Sequence, residues 1–125
     1  MYMKNELITG QIIQAALRVH TALGPGLLES AYRICLKYVL EKEGLRVQSE
    51  LPVPIEFEGR IIATGFRLDL LVEDCVVVEL KTVSKLTPVD HAQLLSHLRL
   101  IKKPTGLLIN FHVARLRDGI KRIAN

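Results

Sequence analysis

The stretch Gly65–Lys81, GFRLDLLVEDCVVVELK, reads as two strands joined by a tight turn at Glu73-Asp74. Side chains alternate between the faces of a strand. Phe66, Leu68, Leu70, Val72, Val76, Val78 and Leu80 share the even positions, while Arg67, Asp69, Glu73, Glu79 and Lys81 stand at odd ones. A three-residue turn keeps the apolar set on one face, sets Val72 opposite Val76, and sets Asp69 opposite Glu79. A two-residue turn mixes charged and apolar residues on both faces, and register follows the apolar pattern. Directly opposed side chains start about 4.5–5.5 Å apart at Cβ. Two carboxylates so placed need a cation, a shared proton or water. Carboxylate oxygens with waters completing the shell are what Mg²⁺ or Mn²⁺ accepts. Lys81 points to the same side as Glu79, where an amine can hold a water or steady a phosphate oxygen. The competing reading is a solvated strand face on which Lys81 bridges the two acids.

Around this ribbon the chain reads as one α/β domain over residues 1–125. Upstream, Asn5 is the expected N-cap of a helix carrying Ile8, Ile12, Ala15, Ala16, Val19 and Leu23, which ends near Gly24. Pro25 suits the first turn of a second helix running to about Gly44, with Leu28, Ala31, Tyr32, Cys35, Leu36, Val39 and Leu40 as its buried stripe. Gly26, Glu29 and Tyr32 stack along one side of it. Glu29 has ordinary explanations, at a helix N-terminus and four residues before Arg33. His20 is given no role. Arg46–Phe57 reads as an edge strand because of Pro52 and Pro54. Glu58-Gly59 turns it into a long strand, Arg60–Val72, bent near Gly65, whose Ile62, Thr64 and Phe66 continue the even, core face.

Downstream, Thr87 caps a helix that starts at Pro88 and runs to about Lys102, with Asp90 at its positive end. Leu94, Leu95, Leu98 and Ile101 are its buried side; Asp90, Gln93 and His97 share the other. Thr105–Val113 is apolar enough for a buried parallel strand, so Cys75–Lys81, this helix and Thr105–Val113 form a crossover. Leu116, Ile120 and Ile123 among Arg115, Arg117, Lys121 and Arg122 suggest a short basic helix at the end.

Composition narrows the class. Nearly half of the 125 residues are hydrophobic and the mean hydropathy is positive, which argues against disorder. No apolar run approaches the roughly 20 residues of a membrane span, and MYMKNELITG does not resemble a signal peptide. Two cysteines, Cys35 and Cys75, expected in a helix and a strand, make neither a metal-type spacing nor a disulfide framework, so a cytoplasmic setting is expected. A net charge of +4 permits nucleic acid as a partner.

With these residues in place the chain resembles the GxxExxY proteins of the PD-(D/E)xK nuclease superfamily. Gly26, Glu29 and Tyr32 in LGPGLLESAY match the signature. Asp69 and Glu79-Leu80-Lys81 look like the D…ExK core, and the similarity runs through TPVDHAQLLSHL and GLLINF to KRIAN. The resemblance implies a restriction-endonuclease-like fold, a mixed central sheet flanked by helices. It implies that Asp69 and Glu79 bind the divalent metal, with the Leu80 carbonyl as an extra ligand. Lys81 would position or activate water, Glu29 would complete the acidic cluster directly or through water, and Gln93 would reach the same site. These implications favour a site over the solvated face for Asp69, Glu79 and Lys81, and leave Gln93 balanced between the two. The chain departs from the pattern at Leu68, where proline is expected, and at His97, where tyrosine is expected; a histidine there either touches a phosphate or sits idle, and idle is the favoured reading. The expected function is an Mg²⁺- or Mn²⁺-dependent nuclease acting on DNA ahead of RNA. The alternatives are a non-catalytic nucleic-acid- or protein-binding module, including as a homodimer, and a self-associating assembly subunit.

Overall fold

The computed structural model describes residues 2–63 and 66–125. Two helices, α1 (Tyr2–Leu23) and α2 (Glu29–Lys42), precede five strands: β1 (Val47–Pro52), β2 (Ile55–Phe57), β3 (Arg60–Ile62), β4 (Arg67–Val72) and β5 (Val76–Lys81). Helix α3 (Pro88–Ile101) crosses to β6 (Thr105–Asn110), and a 3-10 turn at Leu116–Gly119 leads into β7 (Ile120–Ala124). Strands β1-β4-β5-β6-β7, in that order, make one mixed sheet in which β5 and β6 run parallel. The first two helices cover one face, where Ile12, Ala16, Tyr32 and Leu36 pack with Leu70, Val78 and Leu107. The third covers the other, where Leu94 and Leu98 pack with Leu71, Val77 and Leu108. This is the mixed sheet between helices that the resemblance implies; the expected edge strand Arg46–Phe57 is divided, its first part forming the edge strand β1, which ends at Pro52, and its last part β2 in a separate sheet.

The turn at Glu73-Asp74 closes in the expected register, with Val72 paired to Val76 and Leu70 to Val78. The sidedness differs from expectation. Leu70 and Val72 face α1 and α2, but Leu68 joins Leu71 under α3. Alternation therefore breaks at Asp69. Across the β1–β4 ladder the pairs Ser49–Leu70 and Leu51–Leu68 flank Glu50, whose φ is +52°. A non-glycine residue in the left-handed region of a strand re-aims the side chains beyond it. Val47 accordingly packs in the first core and Leu51 in the second. The ladder between β4 and β5 has Leu70–Val78 as its last pair, so the β1–β4 ribbon turns away from β5 at Asp69. Nor is the odd face merely charged: Leu71 and Val77 are buried on it.

Six further expectations are corrected. Helix α1 begins at Tyr2, so Asn5 is not its cap; inside the helix, its amide donates to Thr105 Oγ1 at 3.4 Å. Helix α2 begins at Glu29 rather than Pro25, because Gly24 (φ +69°) and Gly26 (φ +103°) hold a loop that helical backbone does not permit. Tyr32 staples that loop: its hydroxyl donates to the Gly24 carbonyl at 2.6 Å and accepts from Leu27 N at 3.1 Å, and its ring stacks on Phe111. Leu28 is exposed and outside the buried stripe. Arg60–Val72 is not one strand. Its first part pairs with β2 in a separate two-stranded sheet, Ile55 to Ile62 and Phe57 to Arg60, and Phe57, Ile61 and Ile62 stay exposed. Pro52 and Pro54 lack the N–H groups that would carry the main ladder further. The expected roles of Thr64 and Gly65 fall outside the described residues. Cys75 lies in the turn before β5. The C-terminal segment is a strand, not a basic helix. Pairing along the open edge of β6 satisfies a row of backbone groups, which outweighs a helical period over so few residues.

Candidate active site

Strand β5 carries the site because its odd side chains Val77, Glu79 and Lys81 follow one another toward the end of the face under α3. Glu79 is buried there and Lys81 half-buried. Where β4 turns away, Leu80 N loses a backbone partner and donates instead to Asp69 Oδ2 at 2.7 Å. The N–H and C=O of one strand residue point to the same edge. The Leu80 carbonyl therefore opens toward Asp69 as well, while the Lys81 carbonyl points to the other edge and accepts from Phe111 N at 2.9 Å. Two carboxylates and one backbone carbonyl thus meet where the ribbon parts from the sheet.

The electrostatics are those of a buried acid with a second acid beside it. Burial pushes the Glu79 carboxyl above its ordinary range; the hydrogen bond from His97 opposes this and the Asp69 charge adds to it. A carboxyl whose folded pKa is raised contributes stability below its unfolded pKa and loses it as pH rises through the folded value. Metal-free protein is therefore expected to lose thermal stability as pH climbs from the ordinary glutamate range through that raised value. Glu79→Gln is expected to flatten the profile. Melting temperatures in EDTA across that range check both outcomes.

Helix α3 supplies the other half of the site. Its capping box forms as the sequence predicts: Asp90 N donates to Thr87 Oγ1, and Asp90 Oδ2 accepts from Thr87 N at 2.9 Å. That backbone bond holds the Asp90 carboxyl below its usual range. Asp90, Gln93 and His97 then recur at helical spacing along one side. Lys81 Nζ donates to Gln93 Oε1 at 3.2 Å and stands 3.8 Å from Asp90 Oδ1. His97 Nδ1 donates to Glu79 Oε1 at 2.8 Å, and Phe66 lies against its ring, centroids 4.0 Å apart. His97, read from the sequence as idle, is hydrogen-bonded to Glu79. Its position four residues after Gln93, on the same side, is the signal that placed it there.

The structure thus brings Asp69, Glu79, Leu80, Lys81 and Gln93 together and adds Asp90 and His97. It does not join Glu29 to them: Glu29 is exposed at the first position of α2, with no hydrogen bond or ion pair to any of these groups. Arg33 pairs with Glu50 at 3.6 Å rather than with Glu29. Among the described residues no three His, Cys, Asp or Glu side chains converge as a metal site. What does converge is an all-oxygen set of two acids and a carbonyl, with the Glu79 charge disfavoured first by burial and then by Asp69. That chemistry fits a hard divalent cation that keeps several of its waters.

Residues 6–123 match the family model described as PD-(D/E)XK nuclease superfamily. The chain has no significant match among curated proteins or among solved structures.

Proposed function

The chain belongs to the PD-(D/E)XK nuclease superfamily, and from that premise we propose that it is a GxxExxY-type, divalent-metal-dependent nuclease that cuts DNA in preference to RNA. The observation that carries this is the parting of β4 from β5, which gathers Asp69, Glu79 and the Leu80 carbonyl beside Lys81. Asp69, Glu79 and Leu80 O would hold Mg²⁺ or Mn²⁺. When bound, such an ion neutralises phosphate charge and acidifies a water. Lys81 Nζ stabilises charge developing on the phosphate oxygen or holds the attacking water. Gln93 and Asp90 fix where that amine points. Glu29 would act on this site through water from the start of α2. A low aromatic content leaves few rings on which unstacked RNA bases would lie, which supports duplex DNA as the substrate. Two free cysteines suit action in the cytoplasm. Among the described residues no helix is long and apolar enough to cross a membrane.

The test is cleavage of supercoiled, linear, branched and single-stranded DNA, and of RNA, with Mg²⁺, with Mn²⁺ and with EDTA. Metal-dependent cutting of DNA, lost in EDTA, is the expected result. A second reading, a non-catalytic binding module that includes a homodimer, is favoured by one observation: Glu29 stands apart from the acid pair. Salt-sensitive retention of DNA with every metal and no cutting would support it over the first.

A further inference from the structure

We infer that His97 is a positioning residue that aims the Glu79 carboxylate at the metal. This rests on the reading of Asp69 and Glu79 as ligands and goes beyond it. Glu79 has three side-chain torsions and stands on the sheet face packed against α3, so its two oxygens need something to tell them apart. The bond from His97 Nδ1 at 2.8 Å engages Oε1, and the Asp69 carboxyl also lies within side-chain hydrogen-bond reach of Glu79, so the two acids face a shared spot that a ligand would occupy. The imidazole is itself held from two sides. Its backbone belongs to α3, where Leu94 and Leu98 are fully packed into the second core. Its ring lies against Phe66, and both His97 and Glu79 are about nine-tenths buried. Phe66 in turn accepts from Val53 N at 3.2 Å, at the root of the β2–β3 hairpin. A hydrogen-bonding partner held this firmly orients a ligand and sharpens its affinity. The same helix side places Gln93 and Asp90 on Lys81, so α3 sets both the acid and the amine of β5.

Two substitutions separate the donor from the bulk of the ring. His97→Leu keeps apolar volume and removes the donor; His97→Asn removes the ring but keeps an N–H at the position of Nδ1. Mn²⁺ affinity of the full chain is read by electron paramagnetic resonance without nucleic acid, with circular dichroism melts to confirm folding. His97→Leu is expected to bind Mn²⁺ about 10–100-fold more weakly, and His97→Asn to stay within about three-fold of wild type on the same scale. Unchanged affinity in His97→Leu, or equal losses in both variants, would overturn the inference and leave the metal reading standing. A wild-type chain that takes up no Mn²⁺ would overturn the metal reading and this inference with it.

Discussion

Lys81→Ala is expected to lower DNA cleavage by about 10²–10³-fold, the usual cost of removing one preorganised charge-stabilising donor. Asp69→Asn is expected to lower it by at least about 10³-fold, since the ligand proposed at this position would be worth several kcal/mol of charge stabilisation. The two are expected to differ in metal affinity, Lys81→Ala binding Mn²⁺ like wild type and Asp69→Asn more weakly. Single-turnover cleavage and metal titration on the same preparations read both. Equal cleavage by wild type and both variants would assign the activity to a contaminant. Stability adds a discriminating readout at Asp69. Relief of crowding with Glu79 argues for a gain when the charge is lost. The Leu80 N–H argues the other way, because Asp69 Oδ2 is its acceptor. Asparagine keeps an acceptor while losing the charge, so Asp69→Asn is expected to melt at or above wild type in EDTA. Alanine strands the N–H, and a loss of about 1–3 kcal/mol is expected. Urea titration of the pair decides whether that bond or the repulsion dominates.

Gly119→Ala is expected to be the most damaging small substitution in the fold, costing about 3 kcal/mol or more by urea denaturation. A Cβ there would lie 2.3 Å from the Asn110 carbonyl oxygen, which is backbone and has little room to retreat. Asn110 is pinned: its side chain accepts from Val83 N and His112 N and donates to the Val83 carbonyl. Relieving the clash would mean undocking β7 or loosening Asn110. The second route reaches the site, because Val83 follows Lys81 in the connection to α3. Gly106→Ala is the internal comparison. Its Cβ would meet Leu94 side-chain carbons at 3.1–3.2 Å, and a leucine side chain can give way. A cost near 1 kcal/mol is expected there, and a reversed ranking would refute the packing at the β6–β7 edge.

Much of this molecule follows from local patterns. Val72 facing Val76, the capping box at Thr87 and Asp90, and the parallel run of β5 and β6 are written in apolar phase and turn chemistry. So is the placement of Glu79 and Lys81 on one face, since residues two apart on a strand share a side. Other features depend on partners far off in the chain. The tail is a strand because β6 offers an open edge, and no periodicity within Leu116–Ala124 announces that neighbour. The face change at Asp69 depends on Glu50, nineteen positions upstream, adopting a positive φ in the paired strand. That change removes a backbone acceptor from Leu80 and makes Asp69 supply it. Residue types and their spacing therefore pointed to Asp69, Glu79 and Lys81 as groups available for chemistry and placed the pair on β5 together, but not the face taken by the first half of β4. Their meeting, and the recruitment of His97 to Glu79, were set by the packing of a helix on a sheet, where long-range contacts choose among geometries that local propensity leaves equal.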